Sequence, residues 1–163
     1  MVGLLTVAIG ISTLATTIML RNFLRRQDFF CNCPPLSGAP RVVITGATSG
    51  IGLAAAYEFA RLGWNLVLGC RNLEAGDAVK RCLTEKYEAF NATVYHLDLT
   101  DLYSIKQFAS NVSLNGSVDI LINNAGIMAA QRRIHSDLYL DSNMLTNFIG
   151  PFCLFQELLP YFT

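Results

Sequence analysis

The sequence predicts an α/β fold: a partial doubly wound parallel sheet preceded by an N-terminal transmembrane helix. Three observations lead there. Apolar strand-like runs alternate with helical patterns from residue 41 onward, a glycine-rich turn joins the first run to the first helix, and Val2 to Leu20 contains no charged residue. Alternation of strand and helix implies a parallel sheet, because a parallel neighbour is reached only through a crossover connection.

Val2 to Leu20 is close to the ~20 apolar residues that carry a helix across the hydrocarbon of a bilayer, and Arg21, Arg25 and Arg26 follow at once. A cleavable signal peptide wants a basic start, a shorter apolar stretch and a small-residue cleavage site. Here the basic cluster lies on the far side, so residues 1–20 are expected to be an uncleaved anchor, with a signal peptide or a buried core helix as the alternatives. Arginines flanking a span tend to stay inside, which predicts a domain facing the cytoplasm. An odd count of five cysteines with no framework spacing fits a reducing compartment. Against this stand three glycosylation triplets at Asn91, Asn111 and Asn115, which would matter only in a lumenal domain. Residues 21–40 read as a basic and proline-rich linker, with Pro34, Pro35, Ser37, Gly38 and Pro40 as breakers. Cys31 and Cys33 are candidates for S-acylation beside a membrane, and two idle thiols in a stiff linker are the simpler reading.

The first strand, Val42 to Thr45, runs directly into Thr45-Gly46-Ala47-Thr48-Ser49-Gly50-Ile51-Gly52 and then into the helical pattern Leu53 to Leu62. Glycine serves where the backbone takes a positive φ or where a bulky ligand must come close. Gly46 is assigned to the turn, Gly50 to the close approach and Gly52 to helix packing. Backbone amides of Thr48, Ser49, Gly50 and Ile51 then open a helix whose dipole favours a pyrophosphate. A glycine loop that merely connects strand to helix is the alternative.

Further strands are expected at Asn65 to Gly69, Thr93 to Leu97 and Val118 to Asn123. The first helix stops at Gly63. Asn72 is placed to cap the second, whose Ala78, Val79, Cys82 and Leu83 share a face, and Thr100 the third, with Leu102, Ile105, Phe108 and Val112 on its buried side. The last helix, about Leu138 to Phe162, is crowded with Phe148, Phe152, Leu154, Phe155, Leu158 and Leu159. So apolar a helix must be covered, and the fourth strand is expected to be an unpaired edge, an aggregation liability.

Taken together, the Gly-x3-Gly-x-Gly spacing of Gly46, Gly50 and Gly52, Asp98-Leu99-Thr100 after the third strand, Asn123-Asn124-Ala125-Gly126 after the fourth, and Asn147 in Asn147-Phe148-Ile149-Gly150 resemble the short-chain dehydrogenases/reductases. The likeness covers residues 40–163 and is nearest to the retinol-dehydrogenase-like, membrane-anchored branch. It implies that residues 41–163 are the cofactor-binding part of a Rossmann-like domain, in a membrane such as the endoplasmic reticulum. It also implies that Asp98 meets the adenine amino group, that Leu99 contacts the base through its backbone, and that Asn124, Ala125 and Gly126 lie along ribose and pyrophosphate. Asn123 in such motifs ties neighbouring strands, and the last helix often forms a homodimer interface. A plain residue before a helix cap is the alternative for Asp98.

An NAD site places a carboxylate at the end of the second strand, where it repels a 2′-phosphate. The stretch here is Gly69-Cys70-Arg71-Asn72, with no acid and an arginine whose planar fork suits phosphate. NADP is therefore the expected cofactor, with Arg71 and Asn72 beside it; a solvated surface arginine is the alternative for Arg71.

In the family, hydride transfer is paired with proton transfer by a tyrosine, whose pKa is lowered by a lysine four residues on, with a serine and an asparagine assisting. None of the six tyrosines has a lysine at that spacing, and only the asparagine is matched, by Asn147. Its alternative is a polar helix residue that satisfies its own turn. The expectation is cofactor binding at most, in a chain whose full-length form would act on an apolar small-molecule substrate. The sequence is half apolar with no net charge, and no basic helix offers a nucleic-acid surface. His96 and His135 lack ligand spacing, and Cys31-x-Cys33 is no zinc motif.

Overall fold

The computed structural model describes residues 40–88, 90–128, 134–135 and 139–163. The expected anchor at residues 2–20, its arginines, and Cys31 and Cys33 lie outside them. Among the described residues no helix is long and apolar enough to cross a membrane.

Four parallel strands, β1 (Arg41–Thr45), β2 (Asn65–Cys70), β3 (Ala92–His96) and β4 (Ile120–Ile122), lie in the order β3-β2-β1-β4. Three helices alternate with them: α1 (Gly50–Arg61), α2 (Leu73–Lys86) and α3 (Leu102–Ser113). Every residue of β1 is buried, as a central strand covered on both faces requires. Strand pleating sends Val42 and Ile44 into one core with Ala56, Ala60, Leu66, Leu68 and Leu83, and Val43 into the other with Val67, Phe108, Val112 and Leu154. Each of these β1 side chains is fully enclosed, worth about 1.5–3 kcal/mol apiece relative to exposure.

Local signals decide most helix ends. Gly63, at φ +76, takes the left-handed position after α1. Asn72 caps α2 as expected, its side chain accepting from Ala75 N. The buried face of α2 is Gly76 and Leu83 with Val79 half-buried, whereas Cys82 is exposed, because any Cβ at Gly76 would meet Cys70 Sγ and Val94 at about 2.5 Å. The cap of α3 is Asp101, accepting from Tyr103 N, rather than Thr100. Thr100 is instead engaged by Asp98. Leu102, expected on the buried side of α3, is exposed; Ile105, Phe108, Ala109 and Val112 form that side.

After β4 the chain forms a short antiparallel pair, β5 (Ile134–His135) with β6 (Leu140–Asp141). That pairing and the Asp141 cap on Asn143 N start the last helix at Ser142, four residues later than its apolar pattern suggests. The helical run then passes through α4 (Ser142–Met144), a π-helical turn over Leu145–Ile149, α5 (Gly150–Leu158) and a 3-10 turn to Tyr161. Leu145, Leu154 and Leu158 are buried, while Met144, Phe148, Phe152, Phe155 and Leu159 are exposed, so only the smaller part of the apolar helix is covered by the described residues. At the outer side of β4, Val118 N donates to Tyr161 O and Thr163 N to Val118 O, a parallel bridge that engages the start of this edge.

Candidate functional site

The order of strand addition reverses at β1: β2 and β3 are laid down on one side of it and β4 on the other, all parallel. Such a switch point opens a crevice at the carboxyl ends of the strands. Here it is a cleft of about 630 Å³ lined by Gly46, Thr48, Ser49, Gly50 and Ile51 from the first turn, and by Arg71 and Asn72 after β2. Asp98 and Leu99 after β3, and Asn124, Ala125 and Gly126 after β4, complete the lining foreseen from sequence; Gly69, Cys70, Leu97, Ile127 and Thr146 add to it.

The three glycines occupy distinct environments. Gly46 has φ +67, and a Cβ there would stand 2.9 Å from Ala125 Cα. Gly50 has φ +57, and a Cβ there would meet only open space beside the amides that open α1. Ser49 makes no side-chain cap bond, so those amides carry no competing protein ligand from it. Gly52 lies behind the lining, where a Cβ would come within 2.3 Å of Asn124 Nδ2 and 2.6 Å of Gly46 O. It sets how closely α1 approaches the end of β4.

Two residues lock the floor of the cleft. Thr45 Oγ1, fully buried, accepts from the backbone N–H groups of Asn124 and Ala125, both at 3.0 Å, and donates to Ile122 O at 3.4 Å. Asn124 Nδ2 returns the contact, donating to Thr45 O at 2.9 Å and Gly46 O at 3.1 Å. The strand-tying role expected of Asn123 therefore belongs to its neighbour; Asn123 is exposed. Thr45 was visible in the motif, but nothing local signals its bridging role, which needs β4 alongside.

Asn147 sits in the π-helical turn and is outside the cleft lining. Its Oδ1 accepts from Ile127 N and its Nδ2 donates to Ile127 O, both at 2.8 Å, so it clamps the strand-end loop rather than satisfying its own turn. Gly150, one turn on, brings the helix backbone against Leu99: a Cβ there would lie 2.2 Å from Leu99 O.

The electrostatics centre on Asp98. Its Oδ1 accepts from Thr100 N at 2.8 Å and Thr100 Oγ1 at 2.7 Å. Burial alone pushes the carboxyl up, but these two bonds, with the Arg71 guanidinium adding to them, outweigh it and hold the group below its ordinary value, ionised at neutral pH. Cys70, buried in the cleft wall, is driven the other way by burial and by Asp77, so its thiol stays protonated and is a poor nucleophile. Arg71 is exposed at the mouth.

A family model described as short chain dehydrogenase matches residues 40–163. The chain is 36% identical over 130 residues to retinol dehydrogenase 13 from Homo sapiens, covering 78% of this chain and 39% of that protein. It is 38% identical over 133 residues to dehydrogenase/reductase SDR family member 13 from Homo sapiens, covering 78% and 34%. The chain thus spans less than two fifths of the length of these curated relatives. Among solved structures it superposes on a short-chain dehydrogenase from Sphingobium yanoikuyae in complex with NADPH, with TM-score 0.63, 29% identity, and coverage of 74% of this chain and 47% of that one. An alcohol dehydrogenase from Thermococcus sibiricus complexed with 5-hydroxy-NADP gives TM-score 0.66 and 28% identity, covering 75% and 52%.

Proposed function

We propose, for a chain that belongs to the short-chain dehydrogenase family, that the cleft binds NADP and that these 163 residues by themselves do not turn substrate over. The observation that carries the cofactor reading is Arg71 at the end of β2, on the cleft lining, where an NAD site would present a carboxylate. Its guanidinium can fork onto a 2′-phosphate. Amides of Ser49, Gly50 and Ile51 would meet the pyrophosphate, Asp98 Oδ2 the adenine amino group, and Ala125 and Gly126 the ribose. The bound nicotinamide would supply the hydride. The open space at Gly50 and the uncapped start of α1 fit a phosphate group there.

Asn147 is assigned to hold the loop at Ile127, beside the reacting end of the cofactor. The chain carries no Tyr-x3-Lys pair, and general acid–base assistance alone is worth about 100- to 10,000-fold. Carbonyl reduction by the purified chain with NADPH is therefore expected to be undetectable above the uncatalysed rate; measurable, cofactor-dependent reduction would contradict this. In a longer form the domain would reduce carbonyls or oxidise alcohols on an apolar substrate, held at a membrane by residues 2–20 and facing the cytoplasm.

Arg71→Ala is expected to weaken NADPH about 10- to 100-fold, the worth of a charge-assisted hydrogen-bond pair, with NADH little changed. Fluorescence titration of wild type and Arg71→Ala with both nucleotides reads this directly, and an unchanged NADPH affinity would leave Arg71 a surface residue.

A second reading, that the chain acts as a non-catalytic nucleotide-binding or interaction protein, draws on the exposed stripe Met144, Phe148, Phe152, Phe155 and Leu159. This helix would then bury itself against a second copy or another partner. It predicts cofactor binding without turnover and stability that rises with partner concentration. A fragment or isoform with no independent role would show neither.

A further inference from the structure

We propose that Ser104 is a positioning residue for Asp98 at the adenine end of the cleft, with His96 setting the direction of its hydroxyl; this rests on the adenosine-site reading above. Ser104 lies in the first turn of α3 and is 6% exposed. Its Oγ accepts the backbone N–H of Asp98 at 2.9 Å and faces Nδ1 of His96 at 3.3 Å. A hydroxyl has one proton and two lone pairs. With Asp98 N–H on a lone pair, the proton is directed to Nδ1, which accepts it when His96 carries its own hydrogen on Nε2.

Asp98 is thereby gripped at both ends. Ser104 holds its backbone, while Thr100 takes Oδ1 twice and leaves Oδ2 as the acceptor for an exocyclic amino group. His96 pairs in register with Cys70, the residue before Arg71, so the relay starts beside the proposed phosphate arginine. Recognition of the 6-amino group of adenine should therefore depend on Ser104, although Ser104 does not line the cleft.

The test compares NADPH with its hypoxanthine analogue, in which a 6-oxo group replaces the 6-amino donor, by fluorescence titration of the full chain. Wild type is expected to favour adenine about tenfold, as for one charge-assisted hydrogen bond. Ser104→Ala is expected to bring that ratio below about threefold. His96 is exposed, so its variants test the relay without disturbing the core: His96→Leu should lower the ratio and His96→Asn, with an acceptor near the Nδ1 position, should restore it. Ser104→Ala or His96→Leu that weakens both nucleotides equally, keeping the wild-type ratio, would overturn the positioning role and leave the site intact. A wild type that binds NADPH but does not discriminate would remove Asp98 from adenine recognition and the proposal with it. No binding of either nucleotide would overturn the site reading and this proposal together.

Discussion

Gly52→Ala is expected to cost about 3 kcal/mol of folding stability or more, the upper end for overpacking, because the new methyl has nowhere to go. The Cβ would sit 2.3 Å from Asn124 Nδ2 and 2.6 Å from Gly46 O. The first of these atoms is already committed to Thr45 O and Gly46 O, and the second is backbone. Either α1 backs away from the end of β1 or the Asn124 tie breaks, and both outcomes open the floor of the cleft. Urea unfolding of the full chain, followed by NADPH titration, would show loss of stability and of binding together. Gly50→Ala provides the contrast. Its Cβ meets only open space, but the left-handed backbone costs about 1–2 kcal/mol. This variant should stay folded and still bind poorly, since its methyl fills the space assigned to phosphate. If Gly52→Ala were as stable as wild type, the close approach of α1 to β4 would be wrong.

The second large effect is expected at Gly150. An alanine Cβ there would lie 2.2 Å from Leu99 O, 2.8 Å from Leu99 Cβ and 2.9 Å from Leu145 O, none of them the tip of a flexible side chain. The helix must move off the turn between β3 and α3, loosening Leu154 and Leu158, which are fully buried against that side of the sheet. A loss of about 3 kcal/mol or more is expected, measured by urea unfolding. Because Leu99 neighbours Asp98, nucleotide affinity should fall as well. A Gly150→Ala chain with unchanged stability would contradict this packing of the last helix.

Particular residues show what the sequence could and could not convey. The glycine turn, the four strands, the Asn72 cap and the placing of Arg71 after β2 are local signals, and the residues they position line one cleft, with Gly52 behind it. Thr100 and Asp101 are both good cap residues in adjacent positions, and the choice falls to Asp101 because Thr100 is taken by Asp98. Choosing between Asn123 and Asn124 depends on a one-residue register that only the pleat of β4 and its docking to Thr45 fix. The start of the last helix is set by pairing of β6 with β5, a non-local event, and the π-helical turn adds no local sequence signal of its own. The bond between Asn147 and Ile127 spans 20 residues of chain and rests on that turn.

The central claim is a nucleotide cleft that reads a 2′-phosphate. Its most direct test is competitive fluorescence titration of the full chain with NADPH and NADH in the same buffer. Saturable binding that favours NADPH by about tenfold or more, as a charge-assisted contact to the extra phosphate should provide, is the predicted result. Equal affinity for the two nucleotides, or no saturable binding by a folded chain, would contradict it.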